Sequence, residues 1–184
     1  SSDLGYAQRD PMPRPLPEHG EYAWLMRQVD LASLEPRLHR WRMNLVTGAT
    51  HEEDLPASLS EFPSLAAHVA GTRHRHVFAM TAKPGWFMFN GLLSTDLETG
   101  REQSFTYEDG VYCSESPLAA RPGATADDDA YLVTFVMDTL RDVSECHIFA
   151  ARNLADGPIA RVRLPERIAS GTHAHWAAGA ELRS

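Results

Sequence analysis

The chain has 184 residues, 43% of them hydrophobic, and 17 basic against 25 acidic side chains give a formal net charge of −8. That is enough apolar material for one ordinary domain or part of a larger one, which excludes a disordered tail. The charges are interleaved without a basic stripe to neutralise phosphates, which excludes nucleic acid as an expected partner.

Residues 1–36 read as a proline-rich lead-in and irregular segment. Pro11, Pro13, Pro15 and Pro17 favour extended chain. Tyr22 to Leu34 has no clean period and reads as a short helical turn or irregular loop. From residue 37 to 184 the pattern becomes short β-rich runs. Leu38 to Val46 alternates before the stop Thr47-Gly48. Further strands are expected at Arg75 to Thr81, Trp86 to Ser94, Gln103 to Tyr107, Tyr131 to Met137, Cys146 to Ala151 and Ala160 to Leu164. Turn chemistry separates them at Lys83-Pro84-Gly85, Glu98-Thr99-Gly100, Asp109-Gly110, Arg121-Pro122-Gly123 and Asp156-Gly157-Pro158. This spacing predicts an all-β protein built as a sandwich, a barrel or propeller blades. No repeated sequence motif is evident to choose among them.

Cys113 and Cys146 lack C-x-x-C spacing, which argues against a disulfide framework or structural zinc and for a reducing cytoplasm. No apolar run approaches the roughly 18 residues of a membrane span. The N-terminus lacks a charged start before an apolar core, so a cytoplasmic protein is expected. The start at Ser1 rather than Met fits processing or truncation.

Two His-x-His pairs, His74/His76 and His173/His175, would each lie on one strand face and could clamp a metal in a small β-barrel; Thr-Arg-His-Arg-His equally suits a wet strand edge. From its position alone, His173 reads as a hydrogen-bonded core residue. Asp127 to Asp129 read as a solvated acidic turn. Trp86, Phe87, Phe89 and Trp176 suit either an apolar substrate passage or plain core. Ser144 and Ser170 have no neighbouring base, so hydrolase chemistry has little support.

Several segments in a fixed order carry a resemblance. They are Arg40-Trp41 with Asn44-Leu45 and Thr47-Gly48, then Ser60-Glu61-Phe62-Pro63, then Gly85-Trp86-Phe87-Met88-Phe89-Asn90-Gly91. Pro122 to Leu132 follows, then Ser144-Glu145-Cys146 with Ala151-Arg152-Asn153-Leu154, and finally Arg163-Leu164-Pro165 to Trp176, with Ser170-Gly171-Thr172-His173 inside it. Together they resemble the C-terminal part of the carotenoid cleavage oxygenases, and within them the lignostilbene dioxygenases.

The resemblance implies the C-terminal blades of a seven-bladed β-propeller with one iron(II) on its axis, held by four histidines. Only His173 falls on a ligand position. The other three positions precede Arg40-Trp41, where His19 and His39 stand in unmatched contexts. The resemblance places Glu61, in Glu-Phe-Pro, behind the ligands as a hydrogen-bond acceptor. Asp127 would take the place of a family glutamate, one methylene shorter. The implied reaction is cleavage by O2 of a C=C bond in a stilbene, carotenoid-like or other apolar aromatic olefin, giving two aldehydes. Iron would be shared with the missing N-terminal part or another chain. The alternatives are a noncatalytic propeller segment that pairs with partner chains through open strand edges, and the small metal-binding barrel.

Overall fold

The computed structural model describes the backbone of residues 2–7 and residues 35–83, 88–169, 171, 173–179 and 182. These form twelve strands: β1 (Ser2–Ala7), β2 (Arg37–Met43), β3 (Thr50–Asp54), β4 (Glu61–Ser64), β5 (His76–Ala82), β6 (Phe89–Asp96), β7 (Glu102–Thr106), β8 (Val111–Cys113), β9 (Leu118–Ala120), β10 (Ala130–Asp138), β11 (Val143–Ala150) and β12 (Pro158–Arg163). Two short 3-10 helices, Ala67–Val69 and Ala151–Asp156, complete the described structure. Trp86, Phe87, His19 and the Tyr22 to Leu34 segment lie outside the described residues.

Every strand pairing is antiparallel and the sheets are meanders: β1-β2-β3, then β4-β5-β6-β7, then β12-β11-β10-β8 with β9 also on β10. β8 and β9 are two pieces of one interrupted strand, so the last sheet is a four-position blade. These stacked meanders are the blades of a β-propeller, the architecture that the resemblance implied.

The alternation of β10 explains the stacking. Leu132, Thr134 and Val136 are buried on one face, and Tyr131, Val133 and Phe135 project from the other. The buried face packs Leu132, Val136 and Phe149 against Phe78, Met80 and Leu92 of the preceding blade, with Leu154 of the second 3-10 helix closing the cluster. Fully burying each such side chain contributes about 1.5–3 kcal/mol. Inside this core His147 receives the Tyr107 hydroxyl at Nδ1, 3.0 Å away, and donates from Nε2 to Glu145 at 2.7 Å. Each buried polar atom in that chain is therefore satisfied.

Contrary to the sequence reading, the sheets do share a repeated motif, at the hairpin turns β2–β3, β6–β7 and β10–β11. Asn44-Leu45-Val46-Thr47-Gly48 and Asp96-Leu97-Glu98-Thr99-Gly100 make the same bonds. The Asn44 or Asp96 carboxamide or carboxylate oxygen accepts the amides two and three residues on, and the glycine amide returns to the carbonyl of the first residue. The glycines have φ 73° and 70°. Asp138-Thr139-Leu140-Arg141-Asp142 forms the third copy, with Asp138 accepting the Leu140 and Arg141 amides. Asp142 takes the left-handed position at φ 54°, where the other copies use glycine.

The carboxylates predict the acid response. Burial pushes Asp127 and Asp138 up, but hydrogen bonds from neighbouring groups outweigh it and hold both below their ordinary 3.8. Arg152 does the same for Asp128. The unfolded chain therefore takes up these protons first as pH falls, so their stabilisation is complete above 3.8 and is lost below it. Near neutrality two histidines oppose one another: burial lowers His147, whereas Asp54 beside it raises His39. The thermal midpoint should stay nearly level from pH 7 to 5 and fall steeply below about 4. A midpoint at pH 3 equal to that at pH 7 would contradict this.

Candidate functional site at the junction of two blades

Two β-bulges, one in the first strand of each successive blade, build the site. In β4, Phe62 and Pro63 oppose the single residue Ala79, because Glu61 pairs Met80 and Ser64 pairs Phe78. In the last blade, Ser114 to Pro117 oppose only Val133 to Phe135, because Cys113 pairs Val136 and Leu118 pairs Leu132. Each bulge contains a proline, which a regular ladder position does not tolerate because it lacks the N–H. Bulges of this kind re-aim side chains beside functional sites. The Ser64 hydroxyl donates to the Ser116 carbonyl at 3.2 Å, so the two bulged strands lie side by side.

The C-terminal segment is fastened across these bulges. The Leu164 amide donates to the Ser144 carbonyl at 2.9 Å and the Ile168 amide to the Ser144 hydroxyl at 3.1 Å. A Cβ added to Gly171 would lie 3.5 Å from Ser114 Cβ. The Ala174 amide donates to Glu115 Oε2 at 2.9 Å, and His173 Nδ1 lies 3.3 Å from the same oxygen. A carboxylate accepts, so in the neutral ring the proton sits on Nδ1 and Nε2 is the nitrogen left for a ligand bond. This is the arrangement that prepares an imidazole as a metal ligand. The His173 side chain is 75% exposed, whereas that of Glu115 is 19% exposed. The carboxylate is thus fixed in the protein and the imidazole projects from it.

Phe62 completes the seat. Its ring meets His173 edge-on at 5.2 Å between centroids and Phe89 at 5.5 Å. It holds a left-handed φ of 52°, a strained state for a bulky side chain and one that concentrates at functional positions.

The expected residues divide accordingly. Glu61 is half-buried on β4 beside Phe62. Phe89 is half-buried at the edge of the core, and Trp176 lies in the C-terminal segment, 45% exposed. Asp127 sits elsewhere. It accepts the His76 ring at 2.7 Å and the His76 amide at 2.9 Å, together with the Arg75 amide, so it secures the start of β5. The carboxylate bonded to His173 belongs to Glu115, which sequence reasoning missed. Its available signal was the polar interruption Ser114-Glu115-Ser116-Pro117 between two apolar runs.

The two His-x-His pairs are not assembled into a cluster among the described residues. His173 and His175 lie outside any strand, so the same-face argument does not apply to them. The described cluster of at least three metal-type side chains is instead His76, Asp127 and Asp128. Asp128 there is engaged by Arg152 at 2.9 and 3.0 Å, which leaves an ion-pair network. Burial pushes the Cys113 thiol up to about 12 and also raises Cys146, so neither is an activated nucleophile.

Stacked antiparallel blades with a carboxylate-backed histidine at their junction define a β-propeller segment. The family model described as retinal pigment epithelial membrane protein matches residues 6–178, and the chain belongs to this family, that of the carotenoid cleavage oxygenases. It is similar to lignostilbene-alpha,beta-dioxygenase isozyme III of Sphingomonas paucimobilis, with 29% identity over 169 residues, covering 83% of this chain and 34% of that protein. It is also similar to the carotenoid cleavage oxygenase of Mycobacterium tuberculosis, with 29% identity over 148 residues, 77% of this chain and 29% of that protein. Among solved structures, the lignostilbene dioxygenase of Pseudomonas brassicacearum superposes with TM-score 0.71 and 26% identity over 80% of this chain and 33% of that one. The chain spans about a third of the length of the relatives it matches.

Proposed function

We propose that this chain is the C-terminal part of an iron(II)-dependent dioxygenase that cleaves a C=C bond of a stilbene or carotenoid-like olefin with O2 to give two aldehydes. The observation that carries this is the His173–Glu115 pair, seated on two bulged strands in a chain of an oxygenase family. His173 fits one position of an iron centre: one neutral imidazole with its tautomer set by a carboxylate. The remaining donors would come from protein outside this chain. Bound iron would supply O2 activation. This chain's residues would do the positioning: Glu115 holds the proton on Nδ1, and Phe62 limits rotation of the ring. Glu61, beside Phe62, would serve a second ligand. The engagement of Asp127 with β5 favours a structural role for it. Phe89, with Trp86, Phe87 and Trp176, would border the apolar route for the olefin. Residues 37–184 would be the blade-forming unit and residues 1–36 its lead-in, in a cytoplasmic enzyme. Among the described residues, no helix is long and apolar enough to cross a membrane.

The outer face of the last blade supports a partner. Phe135 pairs with Cys146 and Cys146 with Val162; Val133 pairs with Ile148 and Ile148 with Ala160, all on one side. Phe135 is 42% exposed and Val162 51% exposed. No charged side chain stands in these two rows, so the face suits another blade better than water. This partner would be the missing N-terminal part of the propeller.

His173→Ala tests the proposal in the assembled protein. Iron content should fall from one per complex to near zero, and olefin cleavage should be abolished, with the thermal midpoint within a few degrees of the parent. Full iron loading in this variant would overturn it.

A further inference from the structure

We infer that Asp142 is a positioning residue for His173: at a turn position where the other two copies have glycine, it anchors the C-terminal strap. The three turns of like local conformation make the comparison internal. Gly48 and Gly100 occupy the left-handed position freely, whereas Asp142 holds the same position at φ 54° with a side chain that opposes it. What Asp142 does that glycine cannot is accept Arg167 Nε at 2.8 Å. Arg167 lies six residues before His173 in the chain.

The contact does not act alone. Arg167 also reaches the Ser144 hydroxyl at 3.5 Å, and the next amide, of Ile168, donates to that hydroxyl at 3.1 Å. Ser144 is 1% exposed, so this end of the strap rests on a fixed group. The other end is the Ala174 amide on Glu115. Asp142–Arg167 therefore tethers the first end of a short strap whose second end presents His173. The role for the histidine rests on its proposed function as an iron ligand; the tether itself does not.

Hydrogen exchange at the Ala174 amide in the 184-residue chain tests the tether without iron. Asp142→Gly should leave the thermal midpoint equal or higher, because the turn is relieved, while exchange at Ala174 quickens about threefold, the scale of an exposed ion pair. Arg167→Ala should quicken it at least as much, because its Ser144 contact goes too, and the double variant should match Arg167→Ala, since both single changes remove the Asp142–Arg167 contact. In the assembled protein, iron affinity should fall by a similar factor in Asp142→Gly. Unchanged Ala174 exchange in both single variants, or additive effects in the double variant, would overturn the inference. An assembled parent protein that binds no iron would instead refute the proposed function and leave the exchange result standing.

Discussion

Glu115→Ala is expected to lower iron affinity and turnover of the assembled enzyme by about 10–100-fold, the usual cost of removing the carboxylate behind a histidine ligand. Two contacts disappear together: the acceptor for His173 Nδ1, which selects the tautomer, and the acceptor for the Ala174 amide, which seats the strap. Glu115→Gln keeps one acceptor oxygen and should fall between parent and Ala. Competition with a chelator of known iron affinity measures the effect. The thermal midpoint should move little, because the pair lies at the surface end of the blade junction. Parental iron affinity in Glu115→Ala would show that Glu115 does not prepare His173.

Phe149→Ala should destabilise the fold by about 3–5 kcal/mol, because it opens a cavity where two blades meet. Phe149 is 0% exposed and its ring meets Phe105 of the preceding blade at 5.1 Å. The loss therefore falls on both blades at once. Denaturant titration should show an earlier midpoint at unchanged slope. A shift of under about 1 kcal/mol would mean that the blade junction relaxes around the cavity and is not a packed core.

Strands whose residues alternate or form apolar runs were legible: β2, β5, β6, β7, β10, β11 and β12 all fall within two or three residues of expectation. β4, β8 and β9 have only three or four residues, too few for a period to emerge, and β3, Thr-His-Glu-Glu-Asp, is polar throughout. The strand at Ser2–Ala7 carries no alternation to announce it. The turn repeat was present in the residues, but Asp142 in place of glycine hides its third copy. His173 was found through the resemblance. Glu115 was not, because the feature that aims it is a register shift between β8 and β9 on a shared partner, and register is a property of paired strands. The same physics displaced Asp127: an acidic run reads alike whether its carboxylate faces a metal ligand or, as here, caps the start of β5.

Native mass spectrometry with metal detection, on protein isolated without oxygen from its own source, measures most directly whether this chain completes an iron site with further protein. A complex carrying one iron and additional polypeptide beside the 20.4 kDa chain is the predicted result, and its His173→Ala form should retain the polypeptide while losing the metal. A metal-free chain or homo-oligomer would contradict the catalytic reading and leave a propeller segment that acts through association alone.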